Sequence, residues 1–260
     1  MSSDFRSRKP ILVDERLIMA LDLPTVEEAK VLVETLGETV QFYKIGLELF
    51  MAGDYFELID WLKSRGKKIF VDLKFFDVPA TVGRAVRALS RRGVEFATVH
   101  GNNAIMAAAA KEKGDLKILA VTVLTSLDRG DLDDLGFDCD VRQLVLSRAR
   151  RAFALGCDGV ISSGLEAPLL RDELDRRLLI VSPGIRPVDN RSVDDQKRVV
   201  TVPEAFRNGA DYIVVGRPIR DADDPRAAAQ AIQEQIAGEF GGNAVELRSS
   251  TPSPSGRRLG

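Results

Sequence analysis

The sequence predicts an α/β protein with a single-domain (β/α)8 barrel, the TIM-barrel architecture. The chain has 260 residues, and one such barrel needs about 250. Eight short apolar runs alternate strictly with eight stretches of helical periodicity. Several runs are continuously apolar, as expected for parallel strands covered on both faces. A doubly wound open sheet is the competing fold, but six strands are more usual there, and no Gly-x-Gly-x-x-Gly follows the first strand.

Each predicted strand is a run rich in Val, Ile and Leu, and each is followed by an amphipathic helical stretch. The predicted strands are 16–21, 41–47, 68–73, 96–100, 117–123, 159–162, 178–182 and 212–216. The predicted helices are 25–35, 55–64, 80–91, 102–113, 141–154, 166–173, 203–208 and 225–237. Glycines stand before six of the strands, where they are expected to end the preceding helices.

The chain divides by composition into three parts. Residues 1–15 form an N-terminal extension, residues 16–237 the catalytic barrel, and residues 238–260 a flexible tail that is rich in Gly, Ser, Pro and Arg and lacks periodicity. The acidic stretch 128–138 after the fifth strand is expected to be a solvated loop, because it lacks the glycine and glutamate spacing of a calcium-binding loop.

Charge and cysteine content exclude several classes of function. The 37 Lys and Arg residues nearly balance 39 Asp and Glu residues, so bulk attraction to nucleic acid or an anionic membrane is not expected. Cys139 and Cys157 are too few for a disulfide scaffold or a four-thiolate zinc site, and a lone His100 excludes a histidine-rich metal site. With no signal peptide or long apolar segment expected, a cytoplasmic protein is predicted.

Charged residues lie in the last part of the first three predicted strands or just after them, at the end where barrel enzymes place their active sites. They are Asp22, Lys44, Asp72, Lys74 and Asp77. Asp72 and Lys74 are two residues apart in an apolar strand, so their side chains point to the same side. Placing two charges there costs free energy unless they pair with each other and serve a function. Mutual pairing keeps the lysines protonated, so Lys74 suits proton donation to a carbanion better than Schiff-base chemistry. A structural ion pair, with Asp77 as a helix cap, stays open as the alternative.

A second signal follows the last two strands. Gly216 and Arg217 end the eighth strand, Arg186 follows the seventh, and a polar loop 188–201 between them carries Gln196. Loops at these positions often hold a phosphate in barrels, because glycine permits close backbone approach and arginine binds phosphate in a bidentate manner. A phosphorylated substrate is therefore expected, the alternative being surface arginines beside turn glycines.

Two single polar residues at strand ends carry less information. Thr125 follows the fifth strand and is expected either to hydrogen-bond a polar ring or to begin a turn. His100 ends the fourth strand, where packing at the barrel rim is the expected role.

The motifs at these strand ends resemble the orotidine 5'-phosphate decarboxylase family. The stretch DLKFFDVPAT looks like the family signature, which usually has histidine where this chain has Phe76. The resemblance spans residues 16–237 and includes ALDLP, YKIGLEL, VTVLTS, SPGIRP, DDQKRVVT and VGRPI. It implies cofactor-free, metal-free decarboxylation of orotidine 5'-monophosphate (OMP) to UMP and CO2 in pyrimidine biosynthesis.

The resemblance also implies roles for individual residues. Lys74 protonates a carbanion at C6 of the pyrimidine, Asp72 lies against the substrate carboxylate, and Lys44 and Asp77 complete the charged array. Members of the family are homodimers, so Asp77 and Thr81 are expected to reach the neighbouring site. The residues implied to bind substrate are Asp22 at the ribose, Thr125 at the pyrimidine, and Gln196, Gly216 and Arg217 at the phosphate, with Arg186 beside them.

Three other functions remain open from the sequence. The nearest is a Mg²⁺-dependent sugar-phosphate decarboxylase or aldolase of the same superfamily, which shares the Asp-x-Lys-x-x-Asp motif. A non-catalytic barrel that binds phosphorylated metabolites is the second. A nucleic-acid-binding module is the third, and the charge balance and the absence of aromatic platforms argue against it.

Overall fold

A computed structural model describes residues 10–186 and 199–240, which fold into a closed barrel of eight parallel strands. Each strand pairs with the next along the chain, and the eighth pairs with the first. The strands are β1 (Leu17–Ala20), β2 (Phe42–Gly46), β3 (Lys68–Phe75), β4 (Phe96–His100), β5 (Lys117–Val121), β6 (Gly159–Ile161), β7 (Leu179–Ser182) and β8 (Tyr212–Val215). The predicted fold class is confirmed.

Helices follow every strand. They are α1 (Val26–Leu36), α2 (Leu47–Ala52), α3 (Tyr55–Ser64), α4 (Pro79–Ser90), α5 (Asn103–Glu112), α6 (Arg129–Asp134), α7 (Val141–Ala154), α8 (Ala167–Glu173), α9 (Val202–Arg207), α10 (Arg217–Arg220) and α11 (Pro225–Phe240). In the described part of the chain, α2, α6 and α10 are additions to the eight predicted helices. Each has six residues or fewer, too few for a periodic pattern to show.

The structure corrects the expectation of a loop at 128–138. Residues Arg129–Asp134 form α6, which begins with a capping box. The Asp128 carboxylate accepts the backbone N–H of Asp131, and the Asp131 carboxylate accepts the backbone N–H of Asp128. The acidic residues that indicated a solvated loop therefore satisfy the free N–H groups at the start of a short helix.

Both predicted domain boundaries differ from the observed elements. The final helix α11 extends to Phe240, three residues past the predicted end of the barrel at residue 237, because the Phe240 ring packs 5.1 Å from that of Phe206 and lies under the Arg16 guanidinium. At the other end, Val13–Glu15 forms a 3-10 turn within the predicted extension. The remaining residues of the extension and the tail, 1–9 and 241–260, lie outside the described residues.

Four aromatic side chains fill the barrel interior and are called the aromatic plug. They are Phe42, Phe70, Phe96 and Tyr212, all buried. The ring centroid of Phe96 lies 5.0 Å from that of Phe42, 5.2 Å from that of Tyr212 and 6.0 Å from that of Phe70. The plug makes the interior a packed core, as is general for barrels of eight strands.

A polar layer lies directly above the aromatic plug. Side chains alternate along a strand, so the residue two positions after an inward-facing residue faces inward as well. Two positions after the plug residues of β2, β3 and β4 come Lys44, Asp72 and Thr98. All three are buried. Strand periodicity therefore brings them together at the C-terminal end of the barrel.

The third strand departs from regular pairing where it carries its charges. Val71 pairs with Ala97 and Phe75 with Val99, so β3 holds two more residues than β4 over this interval. Within this bulge Lys74 adopts a φ of 47°, the left-handed region that residues other than glycine enter rarely. The Asp72–Lys74 contact predicted from simple alternation is present, but a bulge produces it.

No helix in residues 10–186 and 199–240 is long and apolar enough to cross a bilayer.

Candidate active site

A cavity of about 530 Å³ opens at the C-terminal ends of the strands. Its apolar lining includes Phe70, Val121, Ile161 and Val214. Among the described residues, five basic and three acidic side chains line the cavity: Lys44, Lys74, Arg186, Arg217 and Arg220, and Asp22, Glu48 and Asp72. A chain with a net charge of −2 thus has a cavity with an excess of positive charge, beside a surface suited to a flat ring.

Three ion pairs join the charged residues of the first three strands. Lys44 Nζ lies 2.9 Å from Asp22 Oδ1 and 3.5 Å from Asp72 Oδ2. Lys74 Nζ lies 3.0 Å from the same Asp72 oxygen. The result is an alternating series of carboxylate and ammonium groups, with Asp72 between the two lysines.

Burial and ion pairing shift the pKa values of Lys44 and Asp72 in opposite directions. Burial lowers the pKa of the Lys44 ammonium, but the adjacent Asp72 and Asp22 carboxylates outweigh it and raise the pKa above its ordinary value. Burial raises the pKa of the Asp72 carboxyl, but Lys44, Lys74 and the Thr98 hydrogen bond outweigh it and hold this pKa below its ordinary value. Both groups are therefore charged at neutral pH, as the sequence predicts.

Thr98 belongs to this cluster and was not predicted. Its Oγ1 donates to Asp72 Oδ1 at 2.8 Å and accepts the backbone N–H of Lys74 at 2.9 Å. The available signal was a polar residue at an inward position of the otherwise apolar run FATVH.

The ends of β7 and β8 bring three of the predicted phosphate-binding residues to the same cavity. Gly216, Arg217 and Arg186 all line it. A Cβ atom on Gly216 would make only ordinary contacts, 3.4 Å from Ala20 Cβ and 3.8 Å from Asp22 Oδ2. Arg220 was not predicted, although it lies three residues after Arg217 and hence on the same side of a helical turn. It lines the cavity and donates to the backbone carbonyl of Asp22 at 2.5 Å.

The other predicted site residues fall into three groups. Thr125 lines the cavity. Asp77 and Thr81 lie outside the cavity as the described residues of one chain form it; Asp77 is exposed, and its Oδ1 accepts the Val78 N–H at 2.6 Å. Asp77 is therefore not the N-cap of α4, which is Val78. Gln196 lies outside the described residues.

His100 and Phe76 pack against each other beside the cavity. Their ring centroids are 4.4 Å apart, and His100 Nδ1 lies 2.9 Å from Asn102 Oδ1. The phenylalanine that replaces the usual histidine of the signature thus packs on the chain's single histidine, which fits the rim-packing role predicted for His100. Over the described residues, no group of three or more His, Cys, Asp or Glu side chains is arranged to hold a metal ion.

A closed (β/α)8 barrel with a paired lysine–aspartate array in a positively charged cavity defines a class of protein, the barrel enzymes that act on small anionic molecules. Residues 15–232 match the sequence model of the Orotidine 5'-phosphate decarboxylase / HUMPS family. The chain belongs to this family.

Known relatives agree with this assignment. The chain is 75% identical over 237 residues to a protein from Methylococcus capsulatus named orotidine 5'-phosphate decarboxylase, with 91% of this chain and 98% of the relative covered. It is 53% identical over 229 residues to a protein of the same name from Xanthomonas campestris, with 87% and 94% covered. A crystal structure of orotidine 5'-phosphate decarboxylase from Lactobacillus acidophilus superimposes with a TM-score of 0.75 at 36% identity, covering 86% of this chain and 99% of that one.

These matches confirm the predicted family and the predicted enzyme class, a carboxy-lyase. They also bear out decarboxylation in pyrimidine biosynthesis as the predicted function. The Mg²⁺-dependent sugar-phosphate alternative is not favoured by them.

Proposed function

We propose that this chain converts OMP to UMP and CO2 in the cytoplasm, with its own side chains supplying the chemistry in place of a metal or organic cofactor. The observation that carries the proposal is the position of the Lys74 ammonium, 3.0 Å from a buried Asp72 carboxylate that also contacts Lys44. The excess of basic groups around the cavity suits a substrate that carries a phosphate and a carboxylate.

The proposed reaction breaks the bond between C6 and the substrate carboxylate. CO2 leaves, the electron pair stays on C6 as a vinylic carbanion, and no adjacent carbonyl delocalises it. The Lys74 ammonium stabilises this charge and then donates its proton to C6, and solvent later reprotonates the amine. An ammonium about 4 Å from the carbanion contributes about 4 kcal/mol at an effective dielectric constant of about 20.

Asp72 has two roles in this mechanism. It raises the pKa of the Lys44 ammonium and fixes both lysines in position, because both lie within 3.5 Å of its Oδ2 atom. It also faces the substrate carboxylate, and this repulsion ends when neutral CO2 forms. Stabilisation of the carbanion, rather than ground-state repulsion, supplies the larger part of the acceleration in our proposal.

Arg217 is proposed to bind the 5'-phosphate, with Gly216 and Arg186 beside it. Arg217→Ala is expected to lower kcat/KM for OMP by about 10- to 100-fold, the loss typical of a hydrogen bond to a charged group. It should also reduce the preference for OMP over orotidine, which lacks the phosphate. Steady-state kinetics on both compounds measures this. Arg207→Ala, on α9 and bound to Glu239 at 2.6 Å, is the matched control, and unchanged kinetics in Arg217→Ala would contradict the assignment.

A homodimer with shared sites is proposed from the position of Asp77 and Thr81. Both lie outside the cavity that the described residues of their own chain form, and Asp77 is flanked by Phe76 and Val78, which are 65% and 63% exposed. Exposed apolar side chains around a carboxylate fit a surface that another subunit covers.

Mixing two inactive variants tests the shared site. Lys74→Ala and Asp77→Ala dimers are expected to regain about a quarter of the wild-type activity after subunit exchange, because half of the dimers are mixed and each of these has one intact site. The control mixes Lys74→Ala with Asp72→Asn, whose defects lie in the same chain's site, and should regain none. Equal recovery in both mixtures, or none in either, would contradict the shared site.

The first experiment follows the ultraviolet absorbance of OMP with purified protein, with and without EDTA. Conversion to UMP that EDTA leaves unchanged is expected. Conversion that EDTA abolishes and Mg²⁺ restores would contradict the metal-free mechanism. Absence of conversion in both conditions would contradict the proposed substrate.

A further inference from the structure

Thr98 is a fully buried residue of β4 that contacts both charged residues of the β3 bulge. Its hydroxyl donates to Asp72 Oδ1 at 2.8 Å and accepts the Lys74 backbone N–H at 2.9 Å. A hydroxyl has one donor and two acceptor sites, so both bonds form at once. One side chain therefore links the carboxylate of Asp72 to the backbone that carries Lys74.

The two bonds act on different parts of the charged array. The bond to Asp72 uses Oδ1, while both lysines contact Oδ2. It therefore sets the rotation of the carboxylate that presents Oδ2 to the ammonium groups. The bond from the Lys74 N–H holds a residue whose φ of 47° is rare outside glycine.

We propose that Thr98 is a positioning residue for the decarboxylation: its hydroxyl fixes the Asp72 carboxylate and the Lys74 backbone together, so that the Lys74 ammonium is held at the reacting carbon. This rests on the proposed function and assigns no contact between Thr98 and the substrate. A small error in the position of a proton donor lowers the rate much more than it lowers substrate binding.

The contribution of the Thr98 hydroxyl to the pKa of Asp72 has to be considered beside the other titratable groups around this carboxylate. The titratable groups facing Asp72 in the described structure are Lys44 from β2, Lys74 from β3 and the Tyr55 phenol from α3. Tyr55 Oη donates to the Ile45 carbonyl at 3.0 Å, so it is engaged elsewhere. The Thr98 hydroxyl is a neutral donor to the ionised carboxylate, and its removal should raise the pKa of Asp72.

The test compares Thr98→Val, which keeps the shape and loses the hydroxyl, with Thr98→Ser, which keeps the hydroxyl. Thr98→Val is expected to lower kcat by about 10- to 100-fold while KM changes by less than about threefold. The acid limb of its kcat/KM profile should move to higher pH by up to about one unit. Thr98→Ser should stay within about threefold of wild type with an unmoved profile.

Thr122→Val is the matched control. Thr122 is also fully buried, at the end of β5, and its Oγ1 donates to the Ile161 carbonyl at 2.9 Å rather than to a charged group. It should lose stability without the change in kcat or pH profile. Equal kcat losses in Thr98→Val and Thr98→Ser, or in Thr98→Val and Thr122→Val, would overturn the positioning role. Wild-type protein inactive on OMP would instead overturn the proposed function, so the two failures are distinguishable.

Discussion

Lys74→Ala is expected to lower kcat for OMP decarboxylation by at least about 10⁴-fold, because the variant loses both the proton donor and the nearest cation to the carbanion. UMP binding should change little, since Arg217, Arg186 and the apolar lining of the cavity are intact. Ultraviolet kinetics measures the first effect, and titration calorimetry with UMP measures the second. Retained turnover would contradict the role proposed for Lys74.

Two further variants separate chemistry from folding. Lys74→Gly should be equally inactive, and glycine accepts the φ of 47° without strain, so a backbone clash is not the cause of its inactivity. Lys68→Ala is the matched control, because Lys68 begins the same strand at the opposite end of the barrel and pairs with Glu15 at 2.6 Å. It should keep wild-type kcat. A loss as large as that of Lys74→Ala would indicate that damage to β3 itself stops turnover.

Asp72→Asn is expected to lower kcat by at least about 10³-fold and the free energy of unfolding by about 3 kcal/mol. The amide cannot balance two ammonium groups whose Nζ atoms lie 3.0 and 3.5 Å from Asp72 Oδ2. The pKa of Lys44 should fall as well, because Asp72 is the larger of the two carboxylate contributions that raise it. Kinetics and urea unfolding measure the two losses.

The stability difference between wild type and Asp72→Asn should depend on pH in a defined direction. The folded protein holds the Asp72 pKa below its ordinary value, so the stabilisation by ionised Asp72 is present above the pKa of the unfolded carboxyl. It is lost as pH falls through the folded pKa. The difference in unfolding free energy is therefore expected to be largest near neutral pH and to shrink in acid.

Asp211→Asn is the control for a partly buried carboxylate that takes no part in the chemistry. Asp211 pairs with Arg171 at 2.6 Å, its side chain is 15% exposed, and it precedes β8 at the far end of the barrel. This variant should lose stability while keeping kcat. Wild-type turnover in Asp72→Asn, or a similar kcat loss in Asp211→Asn, would contradict a specific role for Asp72.

Local sequence pattern was enough to predict the barrel, because strands covered on both faces are continuous apolar runs and helices of ordinary length bury one side periodically. Short elements were not predictable in this way. Helix α6 depends on a reciprocal cap between Asp128 and Asp131, and the same acidic residues read equally well as a solvated loop. The extension of α11 to Phe240 depends on contact with Phe206, which only the folded chain brings near.

The charged array was predictable because its members end successive strands, and parallel strands in a barrel end at one face. The β3 bulge and the role of Thr98 were not. Thr98 is 24 residues from Lys74 and 26 from Asp72, and its contact with both depends on the register of β3 against β4. Pairing register is a property of the assembled sheet and leaves little mark on the sequence of one strand.

The aromatic plug also determines the route by which substrate enters and products leave the active site. Because Phe42, Phe70, Phe96 and Tyr212 fill the barrel beneath the polar layer, molecules do not pass through it from end to end. The nucleotide enters and both products leave by the mouth at the C-terminal ends of the strands. In the proposed mechanism CO2 forms beside Lys74, which lines the cavity at this same end of the barrel. CO2 and UMP therefore leave by the same route, and the order in which they leave is set by their relative rates of release.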